Sequence, residues 1–163
     1  MNFNAFTIQL TQYISQNHPD KIEDKEFIES RGQQAATVFA DCSRQGMNLE
    51  ECSRQANKVL YAGLHFSPYR MIMDIIQTNC THLPLTDEGR HSLAMTLLDI
   101  CKPHISTYLT PENRDSFEGS YQYHRVRLQT KRMINQYLDD NGFLREICSD
   151  GQHYRLRFRF SHT

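Results

Sequence analysis

The chain has 163 residues, of which 39% are hydrophobic and 23% charged, and its formal net charge is −1. This composition is close to the globular average, which excludes a fibrous repeat and wholesale disorder, and the length suits one domain with a single core. No apolar run reaches the roughly 20 residues of a transmembrane helix, and the first residues lack the features of a secretory signal. We therefore expect a cytoplasmic protein without a membrane partner.

Hydrophobic residues at helical spacing predict a first helix that begins near Phe3 and ends before Pro19. A second helix should begin near Asp24, whose side chain can cap its first turn, and should end at Gly46. Gly32 lies in the middle of this second helix and should weaken it by up to about 1 kcal/mol relative to alanine. The chain is thus expected to open with two helices joined by a short linker.

Asn48 followed by Glu51 is typical of a helix N-terminus and predicts a third helix that runs to about Leu60. Only Gly46 and Met47 separate this helix from the second one. Because so short a connection leaves no room for a crossover, the two helices should form an antiparallel hairpin.

The stretch AGLHFSPY (62–69) predicts a corner between two helices. Gly63 suits the left-handed position that ends a helix, Ser67 suits an N-cap, and Pro68 suits the first turn of the next helix. A fourth helix should then run to about Cys80. Since each residue type meets a backbone requirement of a corner, we assign this stretch a structural role.

Two further helices are expected in the second half of the chain. Thr86 with its acidic neighbours predicts the start of a fifth helix, which Pro103 should end or kink. Thr110 followed by proline is another start signal, and a long sixth helix should run from about Ser116 to Asp140.

The apolar period falls to two after the sixth helix. With Asp150 and Gly151 as the turn, residues 143–163 are expected to form a C-terminal β-hairpin whose apolar face needs a cover. The sequence therefore predicts a mainly α fold: a compact domain of about six helices over residues 1–142, with the β-hairpin packed on the same domain.

The segments NHPDKIEDKEFIESR (17–31) and ANKVLYAGLHFSPY (56–69), with the spacing between them, resemble the bacterial domain-of-unknown-function family 1896. The resemblance implies an all-helical protein associated with genomes and mobile elements of gut and oral Bacteroidetes-type bacteria. It brings no reaction, ligand or catalytic residue. Two features depart from the family: Gly32 stands where alanine is expected, and residues 143–163 extend past the usual family end.

No motif for metal binding, covalent catalysis or phosphate binding is present in the sequence. The histidines do not form the HxxxH or HExxH pairs that one helix face presents to a metal, and His65, at the predicted corner, is more typical of a capping residue than of a catalyst. The cysteines are odd in number and lack a CxxC pair, which argues against disulfides and zinc: Cys42, Cys52, Cys80, Cys101 and Cys148. We expect no cofactor and no enzymatic activity.

Basic residues concentrate toward the C-terminus. From Arg125 onward the chain carries a net charge of +4, and the preceding residues carry −5. This asymmetry favours an acidic partner for the C-terminal part. The candidate contacts for a protein partner or a nucleic acid are the cations of the sixth helix and of the last strand: Arg125, Arg127, Lys131, Arg132, Arg157 and Arg159.

Two functions fit these observations. The first is a non-catalytic accessory or protein-interaction protein that binds a protein partner or a second copy of itself, and the family resemblance would place it in a mobile element. The alternative is a nucleic-acid-binding protein that uses the basic C-terminal helix and hairpin. Because no groove-reading element is evident, nucleic-acid binding would be weak, dependent on salt and not specific for sequence.

Overall fold

The computed structural model describes residues 4–81 and 83–141. Within these ranges the chain forms six α-helices: α1 (Ala5–Asn17), α2 (Lys25–Arg44), α3 (Leu49–Leu60), α4 (Pro68–Asn79), α5 (Asp87–Ser106) and α6 (Tyr121–Asp140). Short 3₁₀ turns at Pro19–Lys21 and Phe117–Gly119 precede α2 and α6. No helix in the described ranges is long and apolar enough to cross a membrane.

The mainly helical prediction is confirmed, but the fold class needs a correction at its C-terminal β-hairpin. The described part of the chain contains six helices and no strand, so a hairpin as part of the fold has no support. Residues 143–163, to which the hairpin was assigned, lie outside the described residues. The prediction rests on a short alternation of apolar and charged residues around an Asp150-Gly151 turn. That signal is weak because a two-stranded hairpin is marginal in water without a surface to cover it.

Three of the predicted helix starts are confirmed by side-chain caps. The first backbone N–H groups of a helix lack partners within it, so a side-chain oxygen just before the helix accepts one of them. Asp24 accepts from the N–H of Phe27 at 3.1 Å, and Asn48 accepts from that of Glu51 at 2.8 Å. Thr86 caps α5 in the same way at 3.0 Å.

Pro103 does not end the fifth helix, which was one of its two expected effects. α5 continues through Pro103 to Ser106, and the proline costs one backbone hydrogen bond within the last turns. The predicted start of the sixth helix is wrong. α6 begins at Tyr121 and not at Ser116, because Ser120 has an extended backbone that separates the helix from the preceding 3₁₀ turn.

Residues 4–70 and 109–120 form one compact unit. The α2–α3 pair is the predicted antiparallel hairpin: Arg31, near the start of α2, donates to the carbonyls of Val59 (3.0 Å) and Ala62 (2.8 Å) at the end of α3. The negative end of the α3 dipole also attracts the positive guanidinium at this position. The buried apolar core of this unit joins α1, α2 and α3: Leu10, Ile14, Ile28, Ala35, Ala56, Leu60 and Leu64.

Gly32 corrects the expectation of an alanine in the middle of α2. A Cβ atom at this position would lie 2.3 Å from Oγ1 of Thr7 and 2.9 Å from its Cα. Both distances are shorter than any normal contact, so α1 can lie this close to α2 only because residue 32 has no side chain. The glycine lowers helix propensity slightly, and in return it allows the two helices to pack closely.

Residues 71–81, 83–108 and 121–141 belong to a second compact unit. In this unit α6 buries a stripe of side chains spaced four residues apart: Val126, Thr130, Ile134 and Leu138. The hydroxyl of Thr130 is buried without a hydrogen-bond partner among the described residues. Arg127, beside this stripe, forms an ion pair with Asp74 of α4.

Candidate functional site

The two segments that carry the family resemblance meet in one polar cluster at the end of α1. The carbonyl of Leu64 accepts two hydrogen bonds, from the Nε2 of His18 at 2.8 Å and from the hydroxyl of Tyr13 at 3.0 Å. His18 is only 2% exposed. Because a carbonyl can only accept, the proton of the His18 ring lies on Nε2.

Asn17 links the end of α1 to the start of α4. Its side-chain oxygen accepts from Arg70 at 3.1 Å, and its backbone carbonyl accepts from the hydroxyl of Ser67. The oxygen of Ser67 also accepts from the backbone N–H of Arg70 at 3.0 Å. The prediction that Ser67 caps the N-terminus of α4 is therefore confirmed. We call the six residues that form these bonds the corner cluster: Tyr13, Asn17, His18, Leu64, Ser67 and Arg70.

The segment before α6, residues 109–120, makes hydrogen bonds and an aromatic contact to the corner at residues 62–69. The carboxylate of Asp115 accepts from the backbone N–H of Gly63 at 2.8 Å and from that of His65 at 3.4 Å. The ring of Phe117, which is fully buried, packs on Phe66 with 4.8 Å between centroids. Gly63 has φ = 75°, so the predicted left-handed glycine is confirmed.

The corner cluster has the chemistry of a structural site. Its hydrogen-bonding side chains are directed at groups of the protein itself, and burial, followed by the neighbouring Tyr61, raises the pKa of the Tyr13 hydroxyl. A tyrosine hydroxyl is neutral near pH 7 at its ordinary pKa, and the upward shift leaves Tyr13 a donor to still higher pH. His65, the junction histidine that drew attention in the sequence, is exposed and contributes its backbone N–H to Asp115.

Thiols and histidines do not converge on a metal site in the described ranges, where no three metal-ligating side chains lie together. Four of the cysteines are buried as free thiols: Cys42, Cys52, Cys80 and Cys101. Burial raises the pKa of Cys101 to about 11, which makes it a poor nucleophile at neutral pH. Cys148 lies outside the described residues.

The predicted contact residues of α6 fall into two groups. Arg125 and Arg132 are exposed, whereas Arg127 and Lys131 are partly buried and Arg127 is engaged with Asp74. Arg157 and Arg159 lie outside the described residues. Of the six candidates, the described structure therefore brings only Arg125 and Arg132 together on an open face.

Sequence reasoning missed two exposed side chains between and beside these arginines. Tyr121 is 86% exposed and Leu128 is 51% exposed. At about 100° per residue, Tyr121, Arg125, Leu128 and Arg132 fall within about 60° of helix circumference, opposite the buried stripe. We call these four residues the outer face of α6. The missed signal was this spacing of four, three and four residues.

Comparison with known proteins identifies the family. The crystal structure of protein PG0816 from Porphyromonas gingivalis is similar to this chain, with a TM-score of 0.73 and 27% sequence identity over 83% of this chain and 90% of that one. No curated protein matches the chain. The model of the family described as "Domain of unknown function (DUF1896)" matches residues 1–143. The chain belongs to the DUF1896 family.

Proposed function

We propose that the chain is a non-catalytic protein-interaction domain whose outer face of α6 contacts the partner. The observation that carries this proposal is the exposure of Tyr121 and Leu128 on the same side of a helix as Arg125 and Arg132. Tyrosine and arginine are enriched among the residues that contribute most to protein–protein affinity, and a half-exposed leucine offers apolar area to bury.

The chemistry of this face favours a particular partner. Its two arginines can pair with carboxylates, and Tyr121 and Leu128 can pack on apolar side chains. The expected partner is therefore a protein surface on which acidic residues border an apolar patch. The place of such a partner in a mobile element is an expectation from the family resemblance.

Nucleic acid is a weaker match to the same face. Binding to a phosphate backbone draws its affinity from several cations that release counterions together. The outer face has two, Arg127 is already paired with Asp74, and Asp139 lies farther along the same side of α6. Repulsion between Asp139 and phosphate would oppose the contribution of the arginines.

Affinity capture with a matched pair of variants tests the proposal. Leu128→Asp places a charge in the outer face, and Leu49→Asp makes the same change at another exposed leucine, at the start of α3. Tagged wild-type and variant proteins are incubated with lysate of a Bacteroidetes-type host, with and without nuclease treatment. The captured protein is then purified and titrated with each form.

We expect Leu128→Asp to weaken the affinity for the purified partner at least tenfold, which corresponds to about 1.4 kcal/mol, and Leu49→Asp to leave it unchanged. Equal affinity of both variants would contradict the role of the outer face. Capture that disappears on nuclease treatment, with retention on DNA or RNA that falls steeply as salt is added, would support the nucleic-acid alternative.

A further inference from the structure

Two cysteines flank the tip of the α2–α3 hairpin, where α2 ends and α3 begins. Cys42 is in the last turn of α2 and Cys52 in the first turn of α3, five positions on either side of Met47. The backbone of Met47 bridges them: its N–H donates to the carbonyl of Cys42 at 3.2 Å, and its carbonyl lies 3.7 Å from the Sγ of Cys52. The two thiols are close enough for Cys42 to contribute to the raised pKa of Cys52.

The two thiols differ in their access to solvent. Cys52 is fully buried, whereas Cys42 is 9% exposed and borders the hairpin tip, residues 43–50, which is exposed throughout. Burial, followed by the neighbouring Cys42, raises the pKa of Cys52, so little Cys52 thiolate is present at neutral pH. A dissolved oxidant should therefore meet Cys42 first, and Cys52 is placed to react with it afterwards.

We propose that Cys42 and Cys52 form a reversible intramolecular disulfide when the protein meets hydrogen peroxide. In the first step the Cys42 thiolate attacks a peroxide oxygen, the O–O bond breaks, and Cys42 becomes a sulfenic acid as one water leaves. In the second step the Cys52 sulfur attacks the Cys42 sulfur and the S–O bond breaks, which releases a second water. Two thiols lose two electrons and two protons, and hydrogen peroxide is reduced to two waters.

The disulfide would fix the end of α2 to the start of α3. Closing a short loop removes conformational freedom from the unfolded chain, so the oxidised protein should be the more stable form. At the opposite end of the hairpin, Arg31 already joins the two helices by its bonds to Val59 and Ala62. The device is independent of the outer face of α6, so its test and that of the proposed function can fail separately.

The full-length protein reports the disulfide directly by mass spectrometry. Trypsin cuts after Arg31, Arg44 and Arg54, so Cys42 falls in peptide 32–44 and Cys52 in peptide 45–54. Native protein is treated with hydrogen peroxide, unfolded in N-ethylmaleimide to block free thiols, and digested. We expect the two peptides to be joined with a loss of two hydrogens. Oxidation of Met47 adds an oxygen and is distinguished by mass.

Two further measurements decide the outcome. Dithiothreitol should separate the peptides, and the oxidised wild-type protein should melt about 5–10 °C higher than the reduced protein. Cys42→Ser should leave Cys52 unoxidised, whereas Cys101→Ser should leave the linkage intact. A linkage that forms only in urea, or a Cys42 that proceeds to sulfinic acid or pairs with Cys148 while Cys52 remains reduced, would overturn the proposal. The wild-type readout decides even if a variant fails to fold.

Discussion

Replacing Gly32 with alanine should force α1 away from α2. The new Cβ would lie 2.9 Å from the Cα of Thr7, so that backbone would have to retreat by about 0.5 Å to reach 3.4 Å, where ordinary contact begins. Such overpacking costs about 1–3 kcal/mol, and the better helix propensity of alanine returns about 1 kcal/mol. We expect a net destabilisation of about 1–2 kcal/mol.

The assay is urea unfolding followed by circular dichroism, in which the midpoint should fall by about 0.5–1 M for typical slopes. Gly119→Ala is the matched control, because a Cβ there meets nothing within 4 Å and its midpoint should not change. Thr7→Ala should rescue Gly32→Ala only in part, since it removes the Oγ1 contact at 2.3 Å and leaves the backbone contact. A stabilised Gly32→Ala protein would refute the close approach and restore the propensity argument.

Three other substitutions test the corner and the core. Gly63→Ala should cost more than about 1 kcal/mol because alanine resists the φ of 75°, and an unchanged urea midpoint would contradict that strain. Thr130→Val removes a buried hydroxyl that lacks a partner and should raise the unfolding free energy by about 1 kcal/mol; a lower melting temperature would show that the hydroxyl is satisfied. Tyr13→Phe and His18→Leu each leave the Leu64 carbonyl one donor. The double variant leaves this carbonyl without either donor. Its loss in unfolding free energy should therefore exceed the sum of the two single losses by about 1–3 kcal/mol.

Features fixed by neighbouring residues could be predicted from the sequence. A cap needs a side-chain oxygen and an N–H three residues later, so Asp24, Asn48 and Thr86 could be assigned from residue type and spacing. The same holds for Gly63, whose positive φ follows from its place after a helix. The start of α6 was wrong because Ser120 is a permissible helix residue, and only its observed extended backbone shows the break.

Features that depend on distant residues could not be predicted. The clash that Gly32 avoids is with Thr7, on another helix, and helix propensity contains no information about it. Likewise, the sequence gives no sign that Asp115 would cap the corner at Gly63, more than fifty residues away. The outer face of α6 could not be predicted for a related reason. The charges of this helix indicate which residues face solvent, but only the packing of the fold shows that the apolar Tyr121 and Leu128 are exposed beside them.

In the corner cluster the two segments of the family resemblance contact each other: His18 of the first donates to the Leu64 carbonyl of the second. Tyr13 of α1 donates to the same carbonyl. A group engaged in this way has little capacity to bind anything else, because breaking its bonds would leave a buried polar atom unpaired. Residues available to a partner must therefore be sought where folding makes no demand on the side chain. The exposed side chains of Tyr121 and Leu128 meet this condition, which is why the proposed interaction is with α6 and not with the corner.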